Sequence, residues 1–250
     1  MLNNVINVLY THTDYSDIWP LYFGQQKKYF DVFTNNVIFV DKPAEGVPNT
    51  WRQVVYNDQQ SYTDRLIECF GQLSSSEVCF FSHEDMFLYD FPKTDKVYRY
   101  ADTMFNKSGV FLKQNQFDFI KMIKGGDFNC KKTTIDETLF SLCLDSKWLF
   151  SIQPSFWNIQ KFIELLTYHR CNTIWEFEEK AQKTCKKMKI KGGHSDSGGK
   201  KVGMYHWENE IYPYIATAIV KGRWNFSEYR HVLTPILAEY NIQASIRGIV

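Results

Sequence analysis

Residues 78–92 read VCFFSHEDMFLYDFP: an apolar run stops on His83, Glu84 and Asp85 and resumes with Met86, Phe87 and Leu88. EVCFF reads as a strand, and two adjacent carboxyl groups at its end repel each other and call for a neutralising group. Carboxylate oxygens at such a place suit Mg²⁺ or Mn²⁺, and the cation in turn bridges diphosphate oxygens. The plainer alternative is that Glu84 and Asp85 cap the next element or pair with a lysine.

Upstream, VINVLYTHTD reads as a strand that ends in a polar loop. SDIWPLYFGQQKKYF then has the helical spacing of Ile18, Tyr22 and Tyr29, with Pro20 near its start. NVIFVD repeats the strand signal, and Ser61 with Asp64 resembles a capping box ahead of Leu66, Ile67, Phe70 and Leu73. This β-α-β-α-β order predicts an α/β fold, a mostly parallel sheet flanked by helices, with ligands bound outside the carboxyl ends of the strands. Residues 11–14 and 83–85 both fall there. Farther on, KVYRY and KWLFSI read as strands, and residues 155–166 and 173–188 as helices. KIKGGHSDSGGKK, residues 189–201, reads as a mobile loop.

A chain of 250 residues with 44% hydrophobic content supplies the core of one compact domain, 1–250. Lys and Arg number 29 against 28 acids, a net charge of +1, so no global field points to nucleic acid, a membrane surface or a polyanion. Six cysteines lie scattered without a C-x-x-C pair, which predicts free thiols in a reducing compartment. MLNNVINVLY has no basic leader before a long apolar stretch, and no segment approaches the roughly 20 apolar residues that span a bilayer. The expectation is a cytoplasmic protein with no transmembrane segment and no nucleic-acid partner.

In SIQPSFWNIQKFIELL, a Gln-Pro-Ser turn precedes Phe156 and Trp157. Trp157 either stacks on a sugar face beside a cleft or fills the core under the helix start. NTIWEFEEKAQ offers Glu176, Glu178 and Glu179. Thr173 and Glu176 fit a T-x-x-E capping box, which leaves Glu178 without a local duty and able to act as a base. At residues 11–14, Thr11 and Asp14 are placed to hydrogen-bond a base or ribose, although Asp14 serves equally as a helix cap. Lys200 and Lys201 close the glycine-rich segment, either as part of a lid over a diphosphate or as plain surface.

Taken together, YTHTDYSDIWPLYF, SYTDRLIECF, the strand ending HEDMFL, SIQPSFW and TIWEFE resemble a family of nucleotide-sugar glycosyltransferases with the GT-A fold, found in polysaccharide gene clusters and some large viruses. The likeness runs from the first strand to about Trp224 and rests on the order and spacing of these stretches. It implies a Rossmann-like sheet whose first loop holds the nucleotide, an acidic D-x-D-type signature for Mn²⁺ or Mg²⁺, and a downstream acid as base. Carried over by position, Thr11 and Asp14 fall to the nucleotide, Glu84 and Asp85 to the metal, and Glu178, with Glu176 beside it, to catalysis. Arg65, Lys200 and Trp157 are further candidates for the donor, and His206 in GMYHWENEIY for the metal. His83 stands where the pattern has a first aspartate. The implied partners are a nucleoside-diphosphate-sugar donor of UDP or GDP type and a glycan acceptor hydroxyl.

With Glu178 as base for direct displacement the transfer inverts configuration; without that base a retaining course is open. Two rivals stand beside this reading. The His83 departure points to a non-catalytic nucleotide-sugar or glycan-binding relative. The same acids would also serve a metal-dependent phosphoesterase, against which six unclustered histidines speak.

Overall fold

The computed structural model describes residues 2–73, 78–105, 117–124, 130–202 and 206–250. In chain order, β1 (Val5–Tyr10), α1 (Trp19–Tyr29), β2 (Asn35–Val40), β3 (Trp51–Val55), α2 (Tyr62–Gly71) and β4 (Val78–His83) make the first half. Then follow α3 (Thr94–Met104), β5 (Phe119–Lys121), β6 (Cys130–Lys132), β7 (Leu139–Leu142), β8 (Ser155–Asn158), α4 (Ile159–Thr167), α5 (Ile174–Met188) and β9 (Gly192–Ser195). Two short hairpins, β10 (Lys201–Val202) with β11 (His206–Trp207) and β12 (Ile219–Val220) with β13 (Arg223–Trp224), lead to α6 (Phe226–Glu239) and α7 (Ala244–Arg247).

Among the described residues nine strands form one sheet in the order β3-β2-β1-β4-β8-β5-β9-β7-β6. β1 to β4 run parallel, β8 runs against both β4 and β5, and β5 and β9 are parallel again. The α/β expectation therefore holds: a mixed, mostly parallel sheet flanked by helices.

β4 shows why VCFF lacks alternation. Phe81 packs on Phe70 of α2 and Phe162 of α4, while Phe80 meets Phe33, Phe156 and Tyr212 on the other face. Both faces are covered, so successive apolar residues are all buried, each contributing about 1.5–3 kcal/mol.

Several local expectations need correction. KVYRY lies in α3, which buries Val97, Tyr100, Ala101 and Met104. That is helical spacing, and five residues were too few to tell it from alternation. KWLFSI is extended but outside any strand, because Gln182 of α5 replaces the missing neighbour. Its Oε1 accepts the amides of Leu149 and Phe150 at 2.7 and 3.1 Å, and its Nε2 donates to the Phe150 carbonyl at 2.8 Å. The helix expected from residue 155 begins only at Ile159, where Asn158 caps it by accepting the Lys161 amide at 3.0 Å; the residues before it are β8. WRQVV, unmarked in the sequence, forms the edge strand β3.

The glycine-rich segment is in part the buried strand β9 rather than a loop. A Cβ on Gly192 would stand 2.5 Å from the Phe119 ring, and one on Gly193 3.0 Å from that of Phe117. These glycines admit aromatic rings against the backbone, so their lack of side chain serves close packing and not mobility.

Candidate functional site

From β1 the chain proceeds to β2 and β3 on one side and then to β4 on the other, so the order reverses between β1 and β4. At such a reversal the loops diverge and leave a crevice at the carboxyl edge. The loop after Tyr10 and the pair Glu84 and Asp85 lie at the ends of β1 and β4, where the order reverses.

Thr11 is 1% exposed and occupied on every side. Its hydroxyl accepts the Trp19 indole N–H at 3.0 Å, its carbonyl accepts the Tyr56 hydroxyl at 2.8 Å, and its amide donates to Phe39 at 3.0 Å. The hydroxyl itself donates to the His12 carbonyl at 3.4 Å. Thr11 is therefore committed within the fold and not presented to a ligand. Asp14 is exposed, and the cap of its turn is the His12 ring, whose Nδ1 accepts the Asp14 amide at 3.0 Å.

Glu84 is buried and Asp85 half-buried. Burial raises both carboxyl groups well above the usual range, and the charge of Asp85 raises Glu84 further. Asp85 accepts the Ile219 amide at 3.4 Å, and its carbonyl accepts the Ala218 amide at 3.1 Å. Tyr15 stands in the field of both acids. Two hard-oxygen donors that repel each other are a set that a divalent cation satisfies, with remaining positions left for water and phosphate. Glu84 and Asp85 are thus donors of the kind Mg²⁺ or Mn²⁺ takes, two of the several oxygens such a cation needs. His206 does not join them: its Nδ1 lies 3.5 Å from the Tyr229 hydroxyl, and among the described residues no three metal-type side chains cluster. His83 turns into an aromatic group, 5.3 Å from Tyr10 and within 3.5 Å of the Tyr62 hydroxyl, and burial pushes its imidazole down to about 3.

Beside this crevice, the ends of β1 to β3 build a polar shelf. His12 lies within 3.5 to 3.6 Å of Asp14, Asp41 and Asp58. Asp41 accepts the Thr13 amide and hydroxyl at 2.7 and 2.8 Å. Arg65 pairs with Asp58 at 2.9 Å and lies 5.3 Å over the Tyr56 ring, which stacks on Tyr10 at 5.3 Å. Arg65 therefore stands beside Tyr10 and Tyr56, at the ends of β1 and β3.

On the other flank, Glu178 of α5 accepts the Ile152 amide at 2.6 Å. Burial pushes its carboxyl up to about 7, opposed by that hydrogen bond and by the charge of Lys121. Lys121, fully buried at the end of β5, donates to Ser151 at 3.3 Å and is pushed down to about 8 by burial. Burial raises the Tyr62 hydroxyl well above its usual range, and the charges of Tyr10, Glu178 and Glu84 add to it. Glu176 has other work: it accepts the Asn172 amide at 2.8 Å and pairs with Lys180 at 2.7 Å, while its own amide donates to Thr173 at 3.2 Å. Its carboxylate thus serves the amide one residue ahead of the N-cap and Lys180, which holds Glu176 at the helix start.

One donor candidate is closed off inside the core. Trp157 is 2% exposed, stacked at 4.5 Å on both Phe119 and Phe162, so its faces are closed to a sugar. Lys200 is exposed, with its carbonyl accepting the Glu208 amide at 2.7 Å; Lys201 lies 5.3 Å over the Trp207 ring. Residues missed in the sequence are Tyr15, Lys121 and Arg247. Lys121 had a signal, a cation inside the apolar run DFIKMI, whereas Arg247 had none.

No protein-family model matches the chain, and a search of curated proteins finds no match. Among the described residues no helix is long and apolar enough to cross a membrane. All six cysteines are free thiols.

Proposed function

We propose that the protein is a GT-A-type glycosyltransferase that moves a sugar from a nucleoside diphosphate to a glycan hydroxyl, with inversion. The observation that carries this reading is the pair Glu84 and Asp85, with raised carboxyl groups, at the strand-order reversal between β1 and β4. Mn²⁺ or Mg²⁺ held by Glu84 and Asp85 would neutralise charge on the donor diphosphate.

The chain's own residues supply the rest. The Ile219 amide holds Asp85 in place. Glu178, poised near neutrality, takes the proton of the acceptor hydroxyl as its oxygen bonds to the anomeric carbon. The bond from that carbon to the phosphate oxygen breaks, and the electron pair leaves with the nucleoside diphosphate. The polar shelf of Asp41, Asp58 and Arg65 offers carboxylates to ribose or base hydrogen-bond donors.

Thermal shift against a panel of nucleotide sugars, with and without Mn²⁺, tests the reading, since a ligand that binds only the folded chain raises its melting temperature. A UDP- or GDP-sugar should stabilise the protein in a Mn²⁺-dependent way, and Asp85→Ala should abolish the effect. Absence of stabilisation by every nucleotide sugar would overturn it.

A further inference from the structure

α5 turns its lysines away from the core. It buries Phe177, Ala181, Gln182, Thr184 and Cys185, while Trp175, Lys183, Lys186 and Lys187 are exposed. At about 100° per residue these four fall within an arc of roughly 120°, so they share one outward face. Glu179, the exposed acid of the helix, lies at the Trp175 end.

From Lys180 to Lys191 the chain reads KAQKTCKKMKIK, six lysines without an acid or an arginine. Lys180 pairs with Glu176 at 2.7 Å, whereas among the described residues Lys183, Lys186 and Lys187 have no carboxylate partner. Lys186 and Lys187 in the last turn answer the helix dipole. The dipole does not account for Lys183, a turn earlier, or for Lys189, which ends the helix at φ 54°. Glycine is the usual residue in that left-handed position, so lysine there adds a cation against backbone strain.

Two aromatic side chains frame these cations. Trp175, 72% exposed, opens the helix, roughly 17 Å from Lys186 at about 1.5 Å per residue, and leaves most of its apolar surface in water. Tyr168, 43% exposed, follows α4, with the Lys187 ammonium 5.0 Å from the centre of its ring. The next residue, His169, shares a 2.9 Å hydrogen bond with Thr184 of α5, which ties the two helices together at this surface.

Unpaired lysines between an exposed tryptophan and an exposed tyrosine are the composition of a lipid headgroup layer, with cations over acidic headgroups and amphipathic rings among them. Nucleic acid is met instead by arginine forks, and this stretch has no arginine. We infer that the outward face of α5 docks on an anionic lipid surface, with Lys183, Lys186 and Lys187 over the headgroups and Trp175 and Tyr168 seated between them. The whole chain carries only +1, so the attraction is confined to this face and orients the protein on the surface. Such docking asks nothing of Glu84 and Asp85.

Cosedimentation of the full chain with vesicles of phosphatidylcholine and roughly one third phosphatidylserine tests it, with pure phosphatidylcholine vesicles as the neutral control. The wild type should bind the anionic vesicles, release them as salt rises, and leave the neutral ones free. Each lysine near an acidic surface is worth about 5-fold in partitioning, so combining Lys183→Gln, Lys186→Gln and Lys187→Gln should weaken binding about 100-fold. Arginine at the same three positions keeps the charges and should bind as the wild type does. Trp175→Ala should weaken binding and remove most of the blue shift in tryptophan emission that anionic vesicles produce. Equal partitioning of the wild type and the triple glutamine variant overturns the inference, as does wild-type binding that is equal on neutral vesicles or absent from both. Tighter binding of a duplex oligonucleotide than of the vesicles, lost in the triple glutamine variant, overturns it in favour of nucleic acid.

Discussion

The Glu178 carboxylate accepts the backbone amide of Ile152 at 2.6 Å. The residue before Ile152, Ser151, accepts from Lys121 at 3.3 Å, so two opposite charges grip adjacent positions of one extended segment. Glutamine at 178 retains an oxygen to accept the Ile152 amide but cannot take up a proton. Glu178→Gln should therefore fold normally, bind nucleoside diphosphate, and lose about 10²- to 10⁴-fold in kcat. Steady-state kinetics beside calorimetry check it, and normal turnover would place the base elsewhere.

The protonation of Glu178 sets a pH dependence whose sign follows from the direction of its shift. Between its ordinary value of 4.5 and about 7 the folded chain keeps a proton that the unfolded chain has released. Stability from this group is therefore lost as pH rises through that window. Urea midpoints at pH 5 and pH 8 should differ less in Glu178→Gln than in the wild type. Lys121 acts on the same carboxyl, with Cys185, His194 and His206 also within its field. Lys121→Met, which removes the opposing charge, should move the acid limb of the pH–kcat profile upwards.

Asp85 raises Glu84, and both lie above the usual carboxyl range when no cation is bound. Both carboxyls therefore cost stability as pH rises through their folded values. Asp85→Asn should raise the melting temperature at pH 8 in chelator while abolishing stabilisation by Mn²⁺. In the wild type, Mn²⁺ should raise the melting temperature more at pH 8 than at pH 5, because protonated acids do not bind it.

Gly192 is a packing residue. Alanine there would put a methyl 2.5 Å from Phe119 Cζ and 3.0 Å from Leu142 Cδ1. Overpacking of this kind costs about 1–3 kcal/mol, so Gly192→Ala should lower the urea midpoint. An unchanged midpoint would show that the aromatic ring yields freely.

Trp157 is wedged between Phe119 and Phe162. Trp157→Ala should cost about 3–5 kcal/mol of stability, in the range for large aromatic truncations in a core. The measurement is chemical denaturation. A variant that kept its stability and lost only sugar affinity would restore the stacking role.

Features legible in the sequence act over a few residues. The cap of Ser61 on the Asp64 amide and the box of Thr173 and Glu176 are read from spacing, because each hydrogen bond closes within one helical turn. The strands VINVLY, NVIFVD and EVCFF declare themselves through burial on both faces, and Glu84 with Asp85 stands out by interrupting such a run. Where two local patterns fit the same short stretch, as in KVYRY, or where glycine has two uses, as at Gly192 and Gly193, the sequence left the choice open.

By itself, the sequence determined the alternation of strands and helices, the helix caps and the acidic pair, since periodicity and local hydrogen bonding are properties of neighbouring residues. Only the tertiary structure decided which distant groups face one another. Arg247 meets Asp17, Lys121 shares a field with Glu178, Tyr62 hydrogen-bonds toward His83, and Trp157 is closed between two phenyl rings. Those meetings follow from the order of strands in the sheet, which gathers carboxyl ends and loops from remote parts of the chain at one edge. No spacing along the chain encodes them, because the energy that selects that order comes from burying whole faces and not from any one residue pair.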